Sequence, residues 1–198
     1  MSTIDFYYDF ISPYSYLAAF RLPKMTQNHP DLVFNWIPVN LPSIIKRSGN
    51  IPPATIPSKA RYLLRDLKRW ADYLNAPLKI IKPGSFDARP ALNIASALPP
   101  EERVAFSQTV FQAIWSGNID IGNRDWLQQI FDRHSLSKDW LSLIGEKTSP
   151  ALEQQTQQAL KAGVFGVPTF ILRAGKRSEM FWGVDRMDFL ERAIVQSQ

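Results

Sequence analysis

Ser12-Pro13-Tyr14-Ser15, directly after the apolar run Ile4-Asp5-Phe6-Tyr7-Tyr8-Asp9-Phe10, is the stretch whose reading decides the fold. A strand-like run followed by a capping serine and then a proline marks a strand-to-helix junction, with Ser12 at the N-cap and Pro13 at the first helical position. The same four residues have the outline of a Cys-x-x-Cys redox motif with oxygen in place of both sulfurs. In such motifs the helix N-terminus stabilises a thiolate. The chain contains no cysteine, so thiol-disulfide exchange of its own is excluded. What the junction keeps is an electropositive socket, able to hold a sulfur anion brought by a small-molecule thiol.

Outward from this junction, a second strand is expected over residues 32–39, with a helix over 13–27 between the two strands. That helix carries Tyr16, Leu17, Phe20 and Met25 on its apolar side, and Asn28-His29-Pro30 stops it. Prolines at 42, 52, 53 and 57 then mark a connection. Ala60, Leu63, Leu64, Leu67, Trp70, Ala71 and Leu74 recur at helical spacing. Further helices are expected over 89–98, from Pro99-Pro100-Glu101-Glu102 to Ser116, and from a cap at Asn123 to His134, so that this middle region reads as helical throughout. Ser149-Pro150 opens another helix, over 151–162 and closed by Gly163. Strands over 169–172 and 179–182 flank a hairpin turn region at 173–177, and Asp185 caps a last helix with Phe189, Leu190, Ala193 and Ile194 on its apolar side.

The order is β-α-β, a helical block, then α-β-β-α, with Pro168 directly before the third strand. This is a thioredoxin-like α/β arrangement carrying a large all-helical insertion. The expected division is a discontinuous thioredoxin-like domain, 1–42 and 149–198, and an inserted helical domain, 43–148. No internal repeat or low-complexity segment is present.

Composition narrows the function classes. Hydrophobic residues at 45%, with twelve Phe, six Trp and six Tyr, exclude disorder. No stretch approaches the ~18 apolar residues of a membrane span, so no membrane partner is expected. Met1-Ser2-Thr3-Ile4-Asp5 lacks the features of a secretory signal, and with no cysteine needing an oxidising compartment the expected setting is the cytoplasm. The net charge of +5 is modest and gathers at Lys59, Arg61, Arg65, Lys68 and Arg69. These read either as a solvated helix face or as an entrance for small anions. Without a basic tail or a nucleic-acid motif, nucleic acid is not an expected partner.

Three separated turns would meet in such a fold: the Ser12 turn, Gly166-Val167-Pro168-Thr169, and Gly183-Val184-Asp185-Arg186. Each has an ordinary explanation, since Ser12 and Asp185 serve as helix caps and Pro168 as a plain strand entry. Their co-occurrence in this order points to a site.

Asp9-Phe10-Ile11-Ser12-Pro13-Tyr14-Ser15-Tyr16-Leu17-Ala18, Gly163-Val164-Phe165-Gly166-Val167-Pro168-Thr169-Phe170 and Phe181-Trp182-Gly183-Val184-Asp185-Arg186 resemble motifs of the 2-hydroxychromene-2-carboxylate isomerases, relatives of kappa-class glutathione transferases with a DsbA-like fold. Gly49-Asn50-Ile51-Pro52-Pro53 and Pro57-Ser58-Lys59-Ala60-Arg61-Tyr62, with Asp66 and Trp70 beyond, resemble that family's inserted-domain motifs, so the resemblance spans nearly the whole chain. It implies glutathione as the bound thiol. Ser12 would donate a hydrogen bond to the sulfur, and Val167, before a cis Pro168, would pair its backbone with the cysteinyl unit. Asp185 and the backbone at Val184 would hold the γ-glutamyl end. Asn50 and Lys59 would face the ligands from the insertion and meet the substrate carboxylate.

The implied activity is glutathione-dependent cis-trans isomerisation of 2-hydroxychromene-2-carboxylate, a small anionic aromatic substrate of naphthalene-type catabolism, by a homodimer. Trp70, Phe86 and Trp115 are candidate rests for the aromatic part, although core packing is the ordinary role for Trp70 and Trp115 in apolar helical stripes. Two departures stand out. Leu41-Pro42-Ser43-Ile44-Ile45-Lys46 replaces a stretch that in the family usually has paired glycines, and Val184 replaces a commonly polar residue. A kappa-like transferase or peroxidase is the nearest alternative, and a binding protein that holds a thiol conjugate without turnover is the alternative from another class.

Overall fold

The computed structural model describes residues 2–82, 84–117, 119–121, 125–144 and 147–197. Strand β1 (Thr3–Tyr8) leads through the Ser12 turn into α1 (Pro13–Asn28), and β2 (Val33–Pro38) returns beside β1. Helices α2 (Leu41–Arg47), α3 (Pro57–Leu74), α4 (Arg89–Ala97), α5 (Pro100–Trp115) and α6 (Trp126–His134) follow. Then α7 (Pro150–Lys161), β3 (Thr169–Ala174), β4 (Arg177–Trp182) and α8 (Met187–Ser197) complete the chain. The sheet order is β2-β1-β3-β4. β1 runs parallel to β2 and antiparallel to β3, which pairs antiparallel with β4. A crossover helix joins the parallel pair, and the two-residue turn Gly175-Lys176 joins the antiparallel one, as strand polarity requires.

Alternation along β1 divides the core. Ile4, Phe6 and Tyr8 point to one face, where Phe6 stacks on Phe170 at 5.0 Å and meets Trp36 edge-on at 5.0 Å. Tyr7 points to the other, with Val39, Ile44, Ala159 and Ile171. The first cluster runs unbroken into the helical block: Phe10 lies 4.8 Å from Phe111 of α5, and the Tyr8 hydroxyl shares a 2.6 Å hydrogen bond with Ser107. Each fully buried aromatic of this kind contributes roughly 1.5–3 kcal/mol of transfer free energy. Arg103 on α5 donates to the carbonyls of Ala95 and Leu98, both at 2.8 Å, and of Trp36 at 3.2 Å, tying α4 to β2.

Several expectations need correction. The middle region is not helical throughout: between α3 and α4 the described residues are irregular, and residues 138–143 form a 3₁₀ turn. The irregular run is held from afar, by the Lys79 amide on the Trp115 carbonyl at 2.7 Å and by the Tyr16 hydroxyl on the Pro77 carbonyl at 2.5 Å. Leu64, placed in the apolar stripe of α3, is exposed, whereas Leu67 and Ala71 carry the burial. The expected cap at Asn123 lies outside the described residues. Asp185 makes no capping hydrogen bond. It sits inside a 3₁₀ turn, Val184–Arg186, because Gly183 with φ 103° tightens the chain before α8 begins at Met187. Among the described residues no helix is long and apolar enough to cross a membrane.

Candidate functional site

The C-terminal ends of β1 and β2 and the N-terminal end of β3 open into one cavity of about 1460 Å³, roofed by α3 and the irregular run before α4. This edge is where turns, freed from the strand ladder, can present backbone groups to a ligand. Ser12, Asn50, Lys59, Val167, Pro168, Val184 and Asp185 all line it, so the structure brings together the residues expected to meet ligands, whereas Arg61, Arg65, Lys68 and Arg69 do not line it.

Ser12 is the N-cap of α1, with Pro13 following, and its Oγ accepts from the Ser15 amide at 3.1 Å. The Ser12 hydroxyl is buried and has no protein acceptor among the described residues, so its proton is left to point at a guest. Across the cavity the Val167–Pro168 peptide is cis. A side chain at Gly166 would displace the Trp182 indole, because an added Cβ would come within 2.8 Å of its nitrogen, and that indole packs beside Phe165. The Val167 amide and carbonyl have no intramolecular partner among the described residues, although the residue is 9% exposed. Such a pair suits an extended peptide laid alongside. At the third turn the amides of Val184 and Asp185 are likewise free of protein acceptors. Gly183, at φ 103°, holds a backbone conformation that L side chains rarely adopt, and an added Cβ would also push the Asp185 carboxylate aside.

The helical block supplies the opposite wall. Asn50 is exposed and its Nδ2 reaches the Phe165 carbonyl at 3.5 Å, bridging the insertion to the cis-proline loop. Lys46, Lys59 and Lys82 line the cavity with no carboxylate within ion-pairing distance among the described residues. Arg89 is paired with Asp87, and Arg186 with its neighbour Asp185 at 3.1 Å. These three lysines outnumber the lining carboxylates that also lack a cation partner among the described residues, Asp9 and Asp66, and this small cationic excess favours an anionic guest. Trp70, Phe86, Ile80 and Ile81 make the far end apolar. Trp115 touches the cavity but is core: it is buried, stacks on Tyr16, and donates its indole N–H to the Phe10 carbonyl at 3.0 Å.

Two features had no assigned role in the sequence reading. The Tyr14 hydroxyl donates to Asp66 of α3 at 2.8 Å inside the cavity, and burial first, with the Asp66 carboxylate second, raises the phenol well above its ordinary range. Asp9 forms part of the floor while fully buried. Both stand inside motifs quoted above, but nothing local in those motifs shows that their partners lie 52 and 32 residues away.

The fit to a γ-glutamyl tripeptide rests on these donors and acceptors: a hydroxyl proton without an acceptor, the unpaired N–H and C=O of Val167, free amides and an accepting carboxylate at the third turn, and unpaired lysines for carboxylates. The family model described as DSBA-like thioredoxin domain matches residues 3–195. The chain is 34% identical over 201 residues to a 2-hydroxychromene-2-carboxylate isomerase of Sphingobium xenophagum, covering 98% of each. It is 27% identical to human glutathione S-transferase kappa 1, covering 97% of this chain and 90% of that one. A solved structure of a 2-hydroxychromene-2-carboxylate isomerase superposes with a TM-score of 0.80 at 28% identity, covering 98% of this chain and 95% of the other.

Proposed function

The chain belongs to the DsbA-like thioredoxin family, in the branch shared by 2-hydroxychromene-2-carboxylate isomerases and kappa-class glutathione transferases, and we propose that it is a glutathione-dependent cis-trans isomerase of a small anionic aromatic substrate such as 2-hydroxychromene-2-carboxylate. The observation that carries this reading is the convergence, in one cavity, of the Ser12 hydroxyl with the unpaired backbone of Val167 and the third turn.

When bound, glutathione supplies a thiolate able to add reversibly across a conjugated double bond, which permits rotation about it. The protein's part is to keep that sulfur ionised and the substrate beside it. A free thiol has a pKa near ~8.5, and lowering it by two units requires about 2.7 kcal/mol. The N-terminus of α1 supplies roughly 0.3–2 kcal/mol and the Ser12 hydrogen bond roughly 1.5–3 kcal/mol, a combined range of roughly 1.8–5 kcal/mol that spans the requirement. Val167 holds the tripeptide extended, Asp185 with the Val184 amide receives its γ-glutamyl end, and Lys59 and Asn50 orient the substrate carboxylate. Trp70 and Phe86 offer apolar faces to the ring, away from bulk water. A cytoplasmic homodimer completes the proposal and is checked by sedimentation of the purified protein.

The test is an incubation with glutathione, the chromene carboxylate and a chlorinated aromatic electrophile. Trans product accumulating while total glutathione stays constant is the expected result. Glutathione consumed in proportion to product would assign a transferase, and tight binding without turnover would assign a binding protein.

A further inference from the structure

Asp9 is 1% exposed, yet no cation lies within ion-pairing distance of it among the described residues. Its two carboxylate oxygens do separate work. Oδ1 accepts from the Ile11 amide at 3.1 Å, in the turn that presents Ser12, and Oδ2 accepts from the Leu41 amide at 2.8 Å, at the start of α2. Its own carbonyl accepts from the Ser12 amide at 3.1 Å. The Ser12 turn and the Leu41-Pro42 wall are adjacent sides of the cavity, and Asp9 is the floor between them.

We propose that Asp9 is a positioning residue, whose ionised carboxylate ties the Ser12 turn to the first turn of α2 and so sets the seat in which glutathione is held. The proposal rests on the glutathione reading above and adds to it the group that fixes the geometry. Only a carboxylate can accept from both loops at once in this way. An asparagine offers one acceptor, and its amide nitrogen would then face the second N–H. Burying an unpaired carboxylate opposes folding, so a fold that keeps one there has a use for it that packing does not supply.

Protonation removes the arrangement, because a neutral carboxyl presents one hydroxyl that donates where an acceptor is needed. Burial first raises the Asp9 pKa to about 7 against the restraint of the Leu41 and Ile11 amides, with Asp87 pushing the same way. Two groups that interact electrostatically with Asp9 are moved away from that range. The Tyr8 phenol is raised by burial, and Asp87 is held below the usual carboxylate range by Arg89. Neither histidine lines the cavity.

The experiment measures binding of S-methylglutathione, which has no thiol proton, to the full chain by calorimetry at pH 6 and pH 8. A carboxyl titrating near 7 goes from about one-tenth to about nine-tenths ionised across this range, so wild-type affinity is expected to rise about three- to tenfold. Asp9→Asn is expected to bind weakly at both pH values, with no such rise. Wild-type binding that is flat with pH, or an Asp9→Asn variant that follows the wild-type curve, overturns the proposal. Should the variant fail to fold, the wild-type curve decides alone. No binding of this probe at either pH removes the glutathione reading, and the role of Asp9 with it.

Discussion

Replacing Ser12 separates two roles that one oxygen performs. Its Oγ accepts from the Ser15 amide at 3.1 Å as the cap of α1, while its proton is free for a sulfur anion in the cavity. Ser12→Ala removes both. Loss of a charge-assisted hydrogen bond of roughly 1.5–3 kcal/mol lowers turnover by about 10- to 150-fold. Loss of the cap costs about 1 kcal/mol, which in a chain of this size lowers Tm by roughly 2–4 °C. Ser12→Asp resolves the ambiguity, because aspartate restores the cap acceptor but brings no proton and places a negative charge beside the sulfur. The expected outcome is a Tm back near wild type with turnover still as low as in the alanine variant or lower. Turnover is followed by the ultraviolet change on forming trans product, and thiol ionisation by thiolate absorbance of bound glutathione across pH. An alanine variant with wild-type turnover and an unshifted thiol titration would refute the reasoning. An aspartate variant that recovers activity along with stability would show that the cap was all that mattered.

Asp185→Ala, which breaks no cap hydrogen bond, is expected to leave Tm unchanged while raising the glutathione concentration for half saturation about tenfold; an unchanged saturation curve removes Asp185 from the site. Arg103→Met orphans three carbonyls and is expected to cost about 2–3 kcal/mol, a fall of roughly 4–12 °C in thermal melts, with saturation by glutathione unaltered. The folded pKa of Asp9, raised to about 7, lies above an unfolded value near ~3.9. The native state therefore binds the proton more tightly, and the stabilisation from protonated Asp9 is complete below about pH 4 and lost as pH rises through about 7. Melting curves of wild type minus those of Asp9→Asn should decline over that window, and parallel curves would show that Asp9 does not titrate as described.

What was legible in the sequence is what local chemistry dictates. A serine cap with a proline at the next position, the apolar period of α3, and a proline at a strand entry each act within a few residues, and they locate the turns that meet at the cavity. The irregular run before α4 was not legible, because its hydrogen bonds go to Trp115 and Tyr16, far along the chain, and leave no periodic trace. The cap role of Asp185 fails for a related reason, while its place in the site does not: acidic residues before an apolar helical stripe usually cap, but the positive φ at Gly183 inserts a 3₁₀ turn first and leaves the carboxylate in the cavity. Asp9 is one of two acidic residues in an otherwise apolar run, and it looks incidental until the Leu41 amide is seen above it.

The second serine of the junction bears on which chemistry the cavity can support. Ser15 is fully buried, its hydroxyl has no hydrogen-bond partner among the described residues, and it does not line the cavity. In a dithiol site the residue at this position is the one that displaces a bound sulfur by forming a disulfide. An alcohol cannot do that, and here it cannot even reach the guest. A sulfur held at Ser12 therefore has no protein thiol to pair with, and unless an oxidant is brought from outside it leaves in the oxidation state in which it arrived. Among reactions open to such a sulfur, those in which it adds and departs again, or departs joined to carbon, remain. The choice between them passes to the opposite wall, where Lys59 and the apolar end near Trp70 and Phe86 determine whether the electrophile stays until the bond to sulfur breaks.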